Sequence, residues 1–339
     1  MSMMHCSRHV GRNCTKNLLP PRPSIPVRYF STLPASNKKN VVGVAVANQC
    51  PIGLIPETPI HLPRFHRLPS TTTWFHSPQG ASYVIFSEKL ASNGGAYMSY
   101  ELIASNNVSH TWNSFRVWLQ NHPNEEKDSH IQKLVGRIKD IAETDPSGFQ
   151  TFDAPLSLII LASQFNKTRT TPAERIKQLY IAQSNIRDLP PSLIEDLPTP
   201  DFIKQAGKGD IYGSSIWLGL QPTYTPLHRD PNPNLFCQLV GSKVVRLMPP
   251  RLGESVYADV RRKLGVPGNS RFRGAEMMHR PEREAMHRAV WAEPDSSSKI
   301  EEAFLEAGDS LFIPKGWWHS VASVGEDAEL NASANWWFR

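Results

Sequence analysis

The sequence predicts a mainly β protein, a barrel or sandwich, preceded by a helical region. Three observations predict it. From about residue 176, short apolar segments recur at regular spacing between Gly, Pro and Asp turns. No helical pattern alternates with them. The residues just before them carry apolar stripes at every third or fourth position instead.

Taken in chain order, residues 1–70 read as tail and linker, dominated by Pro, Ser, Thr and Asn. Residues 82–86 (Ser-Tyr-Val-Ile-Phe) form a short apolar strand. Trp112, Phe115, Val117, Trp118 and Leu119 mark one helix face, and Ile131, Leu134, Val135, Ile138 and Ile141 mark another. Residues 156–165 read as a buried helix. These stripes are core and are assigned no chemistry. Strands follow at 178–182, 215–220, 235–240, 243–248, 310–313 and 330–337. Gly241-Ser242 between two of them has the form of a hairpin turn. Gly308-Asp309 and Pro314-Lys315-Gly316 bracket a further strand with turns. Residues 251–302 interrupt the pattern with ten basic and nine acidic side chains, and read as an insertion between two halves of a barrel, placed over its mouth to carry substrate contacts. The organisation expected is a tail at 1–40, a linker, strand and helical support region at 41–174, and a barrel at 175–339.

Of 339 residues, 40% are hydrophobic and 20% charged, which excludes a wholly disordered chain, a collagen and a coiled coil. No apolar run approaches the ~20 residues that span a bilayer. The formal charge of +6 is unevenly placed. Residues 1–56 hold seven basic side chains and no acid, which leaves 30 basic against 31 acidic residues in the rest. A neutral body gives no strong nucleic-acid signal. The basic, hydroxyl-rich, acid-free tail, with Arg28-Tyr29-Phe30-Ser31-Thr32, resembles a mitochondrial transit peptide. It predicts a matrix address, with cytoplasm or nucleus as the alternative. The four cysteines (Cys6, Cys14, Cys50, Cys237) form no CxxC pair, so neither a disulfide framework nor a Cys-rich zinc module is expected.

Three residues carry the chemistry. His228-Arg229-Asp230 places an imidazole and a carboxylate two residues apart, on one face if the segment is a strand. His319 follows 91 residues later, at the start of another expected strand. Two imidazoles and one carboxylate on one side of a metal leave positions open, the facial arrangement of non-haem iron oxygenases. Alone, an HxD pair is as easily a surface loop. Of the other histidines, His5 and His9 lie in the tail, and His61, His66, His76, His110, His122, His130, His279 and His287 have no carboxylate at motif spacing and are expected at the surface.

The surroundings change that weighting. The segment Thr225-Pro226-Leu227-His228-Arg229-Asp230, then Asn234 to Lys243 and Pro249-Pro250, resembles the JmjC family of 2-oxoglutarate-dependent oxygenases. So do Gly308 to Pro314 with Gly316-Trp317-Trp318-His319, and the ending Asn335-Trp336-Trp337-Phe338. The resemblance covers residues 175–339 and is nearest to the small cupin-like hydroxylases, such as the hypoxia-factor asparaginyl hydroxylase. It implies a double-stranded β-helix (jelly-roll or cupin) barrel, Fe(II) as cofactor, and 2-oxoglutarate and dioxygen as co-substrates. His228, Asp230 and His319 match the iron ligands. Lys243 matches the lysine that pairs with the distal carboxylate of 2-oxoglutarate, and Thr225 and Tyr180 match hydroxyls bonded to the same group. Asn234 and Asn335 match amides beside the iron, Trp337 an aromatic beside the distal ligand, and Trp217 a wall residue. A protein side chain is the substrate expected first. The alternatives are a small molecule or modified tRNA base, histone demethylation, or a cupin that binds without turnover. No oligomeric state is predicted.

Overall fold

The computed structural model describes residues 41–46, 55–64, 67–103, 108–121, 125–144, 149–265, 280–292, 294 and 299–339. The expected targeting segment at 1–40, together with His66, His122 and His279, lies outside them.

Eight strands build the barrel: β9 (Ile211–Leu220), β10 (Tyr224–Arg229), β11 (Asn234–Val240), β12 (Ser242–Met248), β13 (Ile300–Leu305), β14 (Ser310–Ile313), β15 (Trp318–Val324) and β16 (Leu330–Phe338). They divide four and four between two sheets, the chain changing sheet at every step except from β12 to β13. One sheet has the order β13-β12-β15-β10, and the other contains β14-β11-β16-β9. This is the double-stranded β-helix that the motif resemblance implies.

The support region adds more strand than its helical stripes announce. Residues 41–70 are not wholly irregular. β1 (Val41–Gly43) and β2 (Ala45–Val46) pair parallel to β13 and β3, and β3 (Ile60–Leu62) pairs antiparallel to β14. Of residues 82–86, only β5 (Ile85–Phe86) is strand, paired with β4 (Phe75–His76). Tyr83 lies at the surface with the Lys167 amine over its ring. β6 (Tyr97–Ile103), β7 (Phe149–Pro155) and β8 (Leu179–Asn185) extend the larger sheet beyond β9. In β6 the buried Met98, Tyr100 and Leu102 alternate with more exposed neighbours, a period-two signal the sequence reading passed over.

The expected helices are present: α3 (Val108–Gln120), α4 (Glu125–Thr144) and α5 (Ser157–Lys167), with short turns α1 (Ser70–Thr73), α2 (Glu88–Ser92), α6 (Pro191–Ile194) and α7 (Asp201–Gln205) around them. Their buried Phe115, Val135 and Phe165 join one apolar core that runs to Trp336 and Phe338 on the outward face of β16. Each such side chain contributes roughly 1.5–3 kcal/mol of burial.

Four expectations are corrected. Gly241-Ser242 does not make a hairpin. β11 pairs with β14 and β16, whereas β12 pairs with β13 and β15, so the turn carries the chain from one sheet to the other. Gly241 has φ +69°, and a Cβ there would sit 2.8 Å from the Asn331 amide and the Leu330 carbonyl. Only glycine fits a left-handed turn pressed between the sheets.

The charged insertion also lies elsewhere. Its described part, α8 (Pro250–Leu264), α9 (Arg280–His287) and a π turn at Arg288–Ala292, packs Tyr257, Val260, Met286, Val290 and Trp291 against the outer face of the smaller sheet. Residues 300–302 already belong to β13. Apolar residues buried at helical spacing direct these helices onto a sheet face rather than over the mouth. His287 is therefore not a surface residue. Its ring meets Tyr224 edge-on, and burial beside Arg283 and Arg246 lowers its pKa to about 4. His61, also expected at the surface, is half-buried and shares a hydrogen bond with Asp309 (3.2 Å).

Candidate metal centre

β10 and β15 are antiparallel neighbours, and their register sets His228 directly opposite His319. The imidazole centroids are 4.2 Å apart. Asp230 lies one residue past the end of β10, not within a strand as the HxD spacing suggested, yet its carboxylate turns back to 3.6 Å from His319 Nε2. One ligand atom from each of the three lies within 4.8 Å of the others. Two neutral nitrogens and one anionic oxygen at that spacing suit a single divalent ion held on one side.

The next layer of contacts fixes the donors. His228 Nδ1 is 2.9 Å from the Pro226 carbonyl, and His319 Nδ1 is 3.3 Å from the Trp317 carbonyl. A carbonyl only accepts, so each Nδ1 carries its proton and each Nε2 keeps a lone pair for a metal. Asn234 Nδ2 donates to Asp230 Oδ2 (2.9 Å), and Asn335 Nδ2 donates to Asn234 Oδ1 (2.9 Å). Asn335 Oδ1 is buried without a hydrogen-bond partner among the described residues. A polar atom left so is costly unless a ligand completes it.

The three residues open onto one cavity. Every residue singled out from the sequence lines it: Thr225, Tyr180, Lys243, Asn234, Asn335, Trp337 and Trp217 join the triad. The hairpin reading would have sent Lys243 to solvent. Instead it is 2% exposed, pointing inward from β12, with Nζ donating to Ser333 Oγ (2.8 Å) and lying 5.2 Å from the Phe236 ring centre. Burial pushes its amine down to about 7. No acid other than Asp230 lines the cavity among the described residues. Gly219 allows Tyr180 its place, because a Cβ there would lie 2.3 Å from the tyrosine ring. No described residue of the insertion reaches the cavity.

Three lining residues were missed: Phe236, Val321 and Ser333. Each is two positions from a residue already singled out on the same strand, namely Asn234, His319 and Asn335. The period of a strand would have found them.

The residues fit the group that the motifs imply. Asp230 and Lys243 carry one opposite charge each, so a divalent cation by the triad and a dianion by Lys243 leave the cavity neutral.

Comparison with known proteins agrees with this geometry. A family model described as a cupin-like domain matches residues 103–339. The lysine-specific demethylase JMJ30 of Arabidopsis thaliana is 26% identical over 181 residues, 53% of this chain and 38% of that protein. Lysine-specific demethylase 8 of Danio rerio is 30% identical over 182 residues, 53% of this chain and 41% of that one. JmjC domain-containing protein E of Dictyostelium discoideum is 21% identical over 263 residues, 67% of this chain and 74% of that one. The chain thus spans about two fifths of the length of the first two relatives. With its barrel, its inward-facing triad and a family model that matches most of its length, the chain belongs to the cupin-like, JmjC-type family of iron- and 2-oxoglutarate-dependent oxygenases.

Proposed function

We propose that this chain is an Fe(II)- and 2-oxoglutarate-dependent dioxygenase that hydroxylates a C–H bond on a protein side chain. The observation that carries the reading is Lys243, a buried amine with a hydroxyl but, among the described residues, no acid beside it, in the same cavity as the two histidines and Asp230. His228, Asp230 and His319 would hold the iron. Lys243, Thr225 and Tyr180 would hold the far carboxylate of the co-substrate, whose charge offsets the cost of burying the amine. When bound, iron with 2-oxoglutarate and dioxygen supplies oxidation of an unactivated C–H bond, with succinate and carbon dioxide as co-products. The protein orients and excludes water. Asn234 fixes the Asp230 carboxylate, and the rings of Trp217, Trp337 and Phe236 add apolar wall beside the polar groups.

Anaerobic addition of Fe(II) and 2-oxoglutarate should give a weak visible charge-transfer band, and His228→Ala should give none. A wild-type protein that shows no band and binds no 2-oxoglutarate is a binding module, and the reading fails.

The demethylase names of two of these relatives favour a second outcome at the same site. Hydroxylation of an N-methyl carbon gives an unstable carbinolamine that releases formaldehyde and leaves the amine. Mass spectrometry of proteins from cells with wild-type chain or His228→Ala separates the two. A gained oxygen marks stable hydroxylation, whereas a lost methyl with formaldehyde marks demethylation. We also propose a mitochondrial matrix address from the acid-free basic segment before Glu57. A reporter carrying residues 1–40 that stays in the cytosol would remove it.

A further inference from the structure

The ladder between β10 and β15 is not regular. Thr225 pairs with Val321 and His228 with His319, so three steps along β10 match two along β15. The extra residue makes a bulge, and bulges re-aim side chains beside functional sites. Here it holds Thr225 at one end and His228 at the other, both lining the cavity. Pro226 within it has no N–H to offer a ladder, and its carbonyl is turned to His228 Nδ1.

On the outer face of the sheet a hydrogen-bond relay reaches this bulge from the charged insertion. Trp291 Nε1 donates to Ser320 Oγ (2.9 Å), and Ser320 Oγ donates to the Thr225 carbonyl (2.8 Å). Both side chains are buried, Trp291 at 2% and Ser320 at 0% exposure. The hydroxyl spends its single proton on Thr225 and receives one from the indole, so the polarity of the relay is fixed. The π turn that presents Trp291 is itself held down. Arg246, the cross-strand partner of Ser320, donates through Nη1 to the Val290 carbonyl (2.7 Å), through Nε to Glu302 (2.9 Å), and lies over the Trp291 ring. A single π turn inside a helix recurs at functional sites.

We propose that Trp291 and Ser320 are positioning residues: the insertion clasps the Thr225–His228 bulge from outside and fixes the hydroxyl and imidazole that face the cavity. This rests on the oxygenase reading for what Thr225 and His228 contact. It gives the described part of the insertion a role behind the site.

The test uses the full chain with Trp291→Phe, which keeps the ring and removes the N–H, and Ser320→Ala, which removes one atom and stands alone if the first does not fold. Two quantities are read: the affinity of the Mn(II)-loaded protein for 2-oxoglutarate, and amide hydrogen exchange at Leu227, His228 and Arg229 in the metal-free protein. Each variant should weaken 2-oxoglutarate binding about fivefold and speed exchange at those amides by a similar factor, the effect of one hydrogen bond. The double variant should be no worse than Ser320→Ala alone, since both act through one hydroxyl. Wild-type affinity and exchange in Ser320→Ala, or effects that add in the double variant, overturn the clasp. So does a fall in melting temperature with neither quantity changed, which marks a merely structural contact. If wild type binds no 2-oxoglutarate, the oxygenase reading fails and the clasp is judged by exchange alone: faster exchange keeps it, and unchanged exchange removes it.

Discussion

Lys243 is held between Ser333 and the Phe236 ring, and burial has lowered its pKa from 10.5 to about 7. Between those values the unfolded chain keeps a proton that the folded chain has given up. Stability from this group is therefore complete above the unfolded value and is lost as pH falls toward 7. Lys243→Met should make the metal-free protein more stable than wild type at about pH 7, by a margin that shrinks toward about pH 10; urea unfolding at both pH values checks it. The same variant should lose 2-oxoglutarate binding. Wild type should take up a proton on binding the dianion above neutral pH, seen as a dependence of binding enthalpy on the buffer's ionisation heat. Asn234 offers a second test. It holds Asp230 Oδ2, so Asn234→Ala should weaken Mn(II) binding by roughly 10–100-fold with little change in fold, measured by metal titration. Residue types were the most legible feature of the sequence. The triad, the lysine and the amides were named from motifs, and all face one cavity. Ser333 was not, although it lies two positions from Asn335 on the same strand and so on the same face.

At the scale of elements, strands with apolar runs were legible and their partners were not. The segments before and after Gly241 are each apolar enough to be central strands, and their close spacing imitates a hairpin. What separates them is the left-handed turn at Gly241, wedged against Asn331 and Leu330. Gly241→Ala should cost at least about 1–2 kcal/mol from the backbone alone, read as a lower urea midpoint. More is expected because the methyl would press on the neighbouring strand. The insertion was read from its charge, which is real, and placed by analogy over the mouth. Its apolar positions, Tyr257, Val260, Met286 and Val290, decide otherwise by packing on the smaller sheet. β10 escaped the list of strands because Pro226 and the bulge break its pattern.

For the whole molecule, the site joins elements that lie far apart along the chain. The triad stands on the smaller sheet and just past β10, while Asn234, Asn335, Ser333 and Tyr180 stand on the larger one. A metal and a dianion bound between them should tie the sheets together. Mn(II) with 2-oxoglutarate at about 100 times its dissociation constant should stabilise the fold by about 2.7 kcal/mol. Thermal melts should show that gain in wild type and not in His319→Ala. The sequence by itself determined which side chains line the cavity, in which order, on strands of which period. That information is local, because a motif needs only neighbours along the chain. Only the tertiary structure decided which sheet each strand joins, that Lys243 points inward, and that the described part of the insertion lies on the outer face of the smaller sheet. Those depend on contacts between residues far apart in the chain, and alternation along a strand specifies a face but not the partner that covers it.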